Sequence, residues 1–416
     1  MPILGQAPST SGPPADAGGA VAVSYPRLFG GVLPATSILL AMFTEAVGYG
    51  MVAPTLPFMA RRAGAGEGGV GFLVGVYAAV GLVASVPLGM LASRYGRRSL
   101  VILGLALLTA ASIGFVFAPT YGWLVAARVL QGLGALGVWV GAITMAADLS
   151  ESQSMGQSLS WLTGTWSLGF IAGPALGGIG SLQTPFVLYA ALSAAAFLLA
   201  LFGLPDAGRG GPRATFRGIA RILRRRAILA SGAATFALAF FYGTIEAFLP
   251  LMLATEHGRG QVGLLFSIAG IPSVVLPVVS GRLADRHGDA RLIVWGFVLA
   301  AALCIGFLPL YGRVPHPVMF LLLGCVEVLV YVPAVALLHR GLESRDRAIA
   351  SASHSYAFSA GFFAGPLLAG ALFPFGGWRS MFGLLTAVVV AASIVVARVA
   401  GGERAPQPLA RDTAAY

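Results

Sequence analysis

The chain has 416 residues, of which 57% are hydrophobic and only 10% charged, with a mean hydropathy of +0.85. A soluble domain carries roughly 25% charged residues, so this composition excludes an ordinary soluble fold and places the chain in a bilayer. The net charge of +11 rests on arginine without lysine; because these arginines fall in short loops between apolar runs, they serve orientation in a membrane and do not point to a nucleic-acid partner.

Residues 1–30, rich in Gly, Pro, Ala and Ser, read as a flexible tail. They lack the basic stretch followed by an apolar core that marks a cleaved signal. A helix needs about 20 mostly apolar residues to cross the hydrocarbon core. Cutting at glycine, proline and charge clusters predicts six spans within residues 31–204, near 33–58, 70–92, 99–118, 121–147, 156–179 and 183–204. A second six lie within 228–400, near 228–253, 261–283, 290–311, 315–339, 346–373 and 378–400. Between the two sets, residues 205–227 carry seven arginines and read as a cytoplasmic linker able to lie on the membrane surface as an amphipathic helix. Residues 401–416 form a second cytoplasmic tail. With both termini inside, the inner segments hold 20 of the 26 arginines, the outer loops hold five, and Arg128 lies within a span. That bias places both termini in the cytoplasm, in a multi-pass protein of the cell inner (plasma) membrane. Cys304 and Cys325 sit inside apolar runs, where neither a disulfide framework nor a thiolate metal site is expected.

The two sets of spans are copies of one unit. The loop Gly89-Met-Leu-Ala-Ser-Arg-Tyr-Gly-Arg-Arg98 returns as Gly281-Arg-Leu-Ala-Asp-Arg-His-Gly-Asp-Ala290, 192 positions later. Gly173-Pro174 returns as Gly365-Pro366 and Gly132 as Gly324 at the same offset. An even number of spans per copy makes the copies parallel, related by an axis along the membrane normal. The expected fold is therefore an all-α membrane protein, twelve transmembrane helices in two six-helix bundles.

In the first loop, glycines make the turn, and arginines can offer charge-assisted bonds to carboxylates and helix C-termini. Asp148, at the inner end of span four, is a candidate partner for Arg97. In Gly169-x-x-x-Gly173-Pro174-x-x-Gly177-Gly178, small residues permit close approach of two helices, and Pro174 cannot donate a backbone hydrogen bond and is expected to kink its helix.

Four stretches together resemble the major facilitator superfamily, and within it the twelve-span drug–proton antiporter branch, over about Val32 to Ala400. Gly89-x-Leu-Ala-Ser93-Arg94-x-Gly96-Arg97-Arg98 is similar to the superfamily's loop signature, in which Asp normally stands where this chain has Ser93. Arg128-Val-Leu-Gln-Gly132-x-Gly134 resembles its span-four arginine motif, and the Gly169–Gly178 stretch its antiporter motif. Gly48-x5-Pro54-x2-Pro57 resembles the span-one signature of the antiporter branch. The resemblance implies a part for Arg128 in proton coupling and a cytoplasmic latch at the loop. Ser93 removes that latch's usual acidic member, so the first copy is expected to hold less firmly than the second, which keeps Asp285 beside Arg286.

Ionisable groups inside spans are costly, so each is a functional candidate. Glu45 lies about 18 Å into span one at 1.5 Å per residue, near the midplane, and Glu327 is similarly placed in span ten. Glu246 is nearer the outer end of span seven. Each has a tyrosine one helical turn away, respectively Tyr49, Tyr331 and Tyr242, so each carboxyl is expected beside a phenol on one face. Desolvation disfavours the charged carboxylate, so such a group can load and release a proton, or pair with a cationic substrate. Arg128 needs a counter-charge, for which Glu45 is a candidate; snorkelling to the outer surface is its alternative. Polar and aromatic residues open spans five and eleven, including Trp161, Trp166, His354 and Tyr356, and are candidates to line a substrate cavity, with helix–helix contacts as the plainer role.

No phosphate-binding loop and no clustered metal-ligand set appears, so neither a nucleotide-driven pump nor an enzyme is expected, and no cofactor or metal. The expected partners are a small-molecule substrate, protons and lipid, for a monomer. The leading expectation is a proton-coupled exporter working by alternating access. A proton-coupled importer of a sugar or metabolite is the alternative, and a non-transporting sensor is disfavoured by the short linker and tails.

Overall fold

The computed structural model describes residues 29, 31–150, 155–206, 223–340, 342 and 344–400. The two tails and most of the linker lie outside the described residues, as do the side chains of the latch candidate Ser93 and the placement of Gly89 beyond its backbone.

Among the described residues every regular element is helical, as a bilayer requires of a chain whose backbone groups must be satisfied within each segment. In chain order the helices are α1 (Val32–Gly50), α2 (Leu56–Arg62), α3 (Glu67–Tyr95), α4 (Arg97–Val116), α5 (Tyr121–Leu149), α6 (Met155–Gly177) and α7 (Thr184–Gly203). The second half supplies α8 (Arg226–Leu253), α9 (Arg259–Val275), α10 (Pro277–His287), α11 (Asp289–Leu310), α12 (His316–His339) and α13 (Ser344–Ala400).

These resolve into twelve spans. Nine described helices are long and apolar enough to cross a bilayer, and α9 with α10, bent by 55°, makes a tenth. Pro277 at the start of α10 accounts for that bend. The 57-residue α13 is two spans joined at Gly377, whose φ of 58° and ψ of −136° are not helical. The remaining span is α6, which is diluted by the hydroxyls of Ser158, Ser160, Thr163, Thr165 and Ser167. It continues unbroken through Pro174.

Span one departs from expectation. It is not one helix to residue 58 but breaks at Met51–Thr55, where Pro54 ends the ladder, and resumes as α2. The Thr55 hydroxyl donates to the Met51 carbonyl at 2.6 Å, satisfying a group the break would orphan.

The repeat persists in three dimensions. Gly96 and Gly288 turn the chain between α3 and α4 and between α10 and α11 with φ of 89° and 88°, a conformation that favours glycine. The helix seams repeat as well. A Cβ on Gly169, Gly173 or Gly177 would come within 2.6, 2.7 and 2.5 Å of the carbonyl oxygens of Phe43 and Val47 on α1 and of Met51 just past its end. In the second half Gly361 and Gly365 lie in the same way against the Phe236 and Phe240 carbonyls of α8.

The two halves meet along α3 with α13 and along α6 with α9. Their contacts gather at the face away from the Gly89–Arg98 loop: Gly71 and Gly75 abut Pro366 and Phe363, while Gly178 abuts Arg259 and Gly260. The Ala175 amide donates across the seam to the Ser267 hydroxyl at 3.0 Å. Toward the loop the same helices are exposed, with Val83 78%, Trp161 51% and Val275 63% accessible. The bundles are closed at one face and parted at the other.

Candidate functional site

Midway along α1, Glu45 is buried at 5% exposure and accepts two hydrogen bonds from uncharged donors. The Tyr77 hydroxyl of α3 donates to its Oε1 at 3.0 Å, and the Trp166 indole of α6 donates to its Oε2 at 2.7 Å. Tyr77 joins Glu45 to the buried cation of α5, because the Arg128 guanidinium lies over the Tyr77 ring, 4.5 Å from its centroid. Arg128 is 0% exposed, so it does not snorkel to the surface. Its Nη1 donates to Gln131 Oε1 at 2.6 Å and its Nη2 to the Val74 carbonyl at 3.5 Å. Gln131 in turn donates to the Gly48 carbonyl of α1 at 3.0 Å. The expected Arg128–Glu45 ion pair is therefore replaced by an aromatic relay. A ring face attracts a cation, and a desolvated pair of this kind contributes about 2 kcal/mol.

The phenol one turn from each glutamate shares its face, but its hydroxyl does not bond that glutamate. Residues at i and i+4 share a face, but these hydroxyls find partners on other helices. Tyr49, one turn from Glu45, crosses the seam and donates to Glu246 Oε1 on α8 at 3.1 Å. Tyr242, one turn from Glu246, donates to the Leu323 carbonyl on α12. Tyr331 packs edge-on against the His354 ring, with centroids 5.6 Å apart, and makes no hydrogen bond to Glu327 among the described residues. His354 Nδ1 lies 3.0 Å from the Thr235 hydroxyl.

Aromatic rings tie the cluster together. Trp166 stacks on Phe170 with centroids 5.3 Å apart, and Tyr49 touches Tyr77, Trp166, Phe170 and, from the other half, Phe362. Beside them a cavity on the seam is lined by Gly50, Phe170 and Pro174 of the first half and by Tyr242, Glu246 and Glu327 of the second. Of the candidate cavity residues, Trp166, Tyr49 and Tyr242 thus lie at the seam. Trp161 and Tyr356 take no part in these ring contacts among the described residues.

At the loop face, Arg97 is ion-paired with Asp148. Arg98 bonds Asp206 Oδ1 at 3.0 Å and the Leu201 carbonyl at 2.7 Å, so both arginines hold helix ends. Arg94 lies over the neighbouring Tyr95 ring. The second copy is not held by Asp285 and Arg286, which are exposed and without an ion pair among the described residues. It is held instead by Asp289, at 2% exposure, with Arg340 Nε 2.7 Å from its Oδ2. Positions 289 and 340 are 192 beyond 97 and 148, so both halves carry one ion pair at matched positions with its charges exchanged. Tyr77, Asp289 and Arg340 were not singled out by composition or motif, and Gln131 stood in the span-four motif without a role of its own; Asp289 and Arg340 are legible from the repeat offset.

Two six-helix bundles with a polar cluster on their seam, opened to one face, make a secondary transporter. The description of the Major Facilitator Superfamily matches residues 38–259 and 232–415, and the chain belongs to that superfamily. It is 25% identical over 355 residues to Multidrug resistance protein 1 of Bacillus subtilis, covering 81% of this chain and 89% of the relative. It is 30% identical over 308 residues to the class G tetracycline resistance protein of Vibrio anguillarum, covering 68% of this chain and 76% of the relative. Among solved structures, a bacterial homolog of the human lysosomal transporter Spinster, inward-facing and unoccupied, is similar in fold with a TM-score of 0.70 and 14% identity, over 88% of this chain and 95% of that one.

Proposed function

We propose that this transporter exports a small organic compound in exchange for protons, by rocking its halves, residues 31–204 and 228–400, about the seam. The observation that carries the reading is the pair of buried carboxylates, Glu45 and Glu246, held by uncharged donors and linked through Tyr77 and Tyr49 at the junction of the halves. Protonating a carboxylate in such a setting breaks no ion pair, so a proton can be taken up without dismantling the cluster. Because the Tyr49–Glu246 bond crosses the seam, rocking breaks it and changes the surroundings of Glu246, which is what proton release on the other side requires. Glu327, on the cavity wall, is a third carboxylate able to receive a proton or a cationic group of the substrate.

The names of the two curated relatives support an exported drug-like substrate, and the resemblance of the Gly169–Gly178 stretch to the antiporter motif supports the antiporter branch. The arginine bias supports an inner (plasma) membrane location with both termini cytoplasmic; the parted face then opens inwards. A monomer satisfies the geometry, since the seam and cavity lie within one chain.

The test is transport in everted vesicles. Glu45→Gln is expected to abolish substrate-induced proton release while leaving the protein folded. Unchanged release would remove Glu45 from the coupling. Substrate uptake by intact cells down a proton gradient, in place of efflux, would overturn the direction.

A further inference from the structure

At the closed face, two adjacent donor side chains meet a third 59 residues further along the chain, outside the carboxylate cluster, where sequence motifs give no metal-ligand set. Glu256 and His257 lie in the turn after α8, and His316 is the first residue of α12. One oxygen of Glu256 and one ring nitrogen of each histidine lie within 4.8 Å of one another. His257 Nε2 stands 2.9 Å from His316 Nδ1. His316 is 9% exposed, with the Tyr311 ring centroid 5.1 Å from its own.

We propose that Glu256, His257 and His316 bind a divalent transition-metal ion of the zinc class. Two imidazoles and one carboxylate form a donor set suited to Zn²⁺, while calcium and magnesium favour oxygen alone. Zinc–nitrogen bonds of about 2.0–2.1 Å place two nitrogens on one tetrahedral ion about 3.3 Å apart, so the histidine pair need open by only about 0.4 Å. The surroundings already select the tautomer. His257 Nδ1 lies 3.2 Å from Gln261 Oε1, which also accepts the Gly258 amide at 3.3 Å. With its proton on Nδ1, donated to Gln261, His257 turns the Nε2 lone pair toward His316, the outer-shell arrangement of a metal-bound histidine. His316 moves its proton from Nδ1 to Nε2, a buried nitrogen without a hydrogen-bond partner among the described residues, so both rings stay neutral ligands and the histidine–histidine hydrogen bond is exchanged for the metal. Glu256 is exposed, which leaves room for water at the fourth position.

The site also has a mechanical setting. Arg259, two residues beyond His257, donates from Nη2 to the carbonyls of Gly180 and Ser181 in the other half at 2.8 and 3.0 Å. A bound ion ties the turn that carries this clamp to the start of span ten.

The experiment is calorimetric titration of Zn²⁺ into the purified, metal-stripped full chain in detergent, with Co²⁺ absorption as a second readout. We expect one ion per chain, binding about 100-fold weaker in His257→Ala and about tenfold weaker in Glu256→Gln. We also expect the intense visible bands of tetrahedral Co²⁺ in the parent chain and their loss in His257→Ala. His287→Ala, at an exposed histidine of the other face, serves as control and should bind as the parent does. No Zn²⁺ binding, equal affinity in parent and His257→Ala, an equal loss in His287→Ala, or a purely octahedral Co²⁺ spectrum would each overturn the site. Should His257→Ala fold poorly, Glu256→Gln, at an exposed position, decides the outcome.

Discussion

Arg128 is a cation sealed inside the first half with no carboxylate in ion-pair range among the described residues, and its neighbours explain how it is tolerated. A planar guanidinium can lie on Tyr77 while its fork reaches Gln131 and Val74, which an ammonium cannot do at once. Arg128→Lys, though it keeps the charge, is therefore expected to lower substrate-driven proton release by at least about tenfold, a loss of about 1.4 kcal/mol in a key step. Parent-like release in reconstituted vesicles would show that charge alone suffices. Glu45 and Arg128 were legible because an ionisable residue in an apolar run is conspicuous. Tyr77 was not, because a tyrosine in a span is an ordinary packing residue until the helix it faces is known. For the same reason the partner of each tyrosine hydroxyl could not be read from the spacing that sets it beside a glutamate. Sharing a helix face brings two side chains near one another, yet Tyr49 finds a better acceptor in Glu246 across the seam.

The α1–α6 seam shows how a motif becomes a packing rule. Three glycines at four-residue spacing admit three span-one carbonyls at the same spacing, so any side chain pushes the helices apart. Gly173→Ala is expected to destabilise by about 1–3 kcal/mol through overpacking. Gly164→Ala on the same helix, where a Cβ meets nothing within 4 Å, should instead be neutral or stabilising by about 0.5–1 kcal/mol. Thermal unfolding of the two variants in detergent checks the opposite signs. The paired helix ends allow a second test. Arg97→Asp alone puts two carboxylates together and should lower both transport and thermal stability. Adding Asp148→Arg should restore them, since Asp289 and Arg340 already use that polarity in the second half. A double variant as impaired as the single one would mean that the matched positions are not equivalent. The expectation that Ser93 leaves the first copy the weaker falls on a side chain outside the described residues; among the described ones the first loop makes two ion pairs, Arg97–Asp148 and Arg98–Asp206, against Asp289–Arg340 in the second. Asp289 and Arg340 are present in the 192-residue offset, but the loop motif does not extend to the helix ends it reaches.

The halves touch at one face and part at the other, and Arg259 is one of the side chains that close the touching face. Its carbonyl bonds are partly exposed and contribute about 1–2 kcal/mol, so Arg259→Ala should raise opening at that face about five- to thirtyfold. The measurement is labelling from that side of Ala53→Cys, on the cavity wall, in a chain whose Cys304 and Cys325 are replaced by Ser. An unchanged labelling rate would remove Arg259 from the clamp.

Twelve spans in two copies could be read from hydropathy, glycine turns and arginine placement alone. In lipid a segment must satisfy its own backbone, so the demand is local and leaves a local trace. The break after Gly50, the relay from Arg128 through Tyr77 to Glu45, and the meeting of Glu256 with His257 and His316 carry no such trace. They depend on which helices adjoin and how each is turned about its axis, which is settled by packing summed over the whole bundle. His257 and His316, 59 residues apart, meet only because α8 and α12 end side by side.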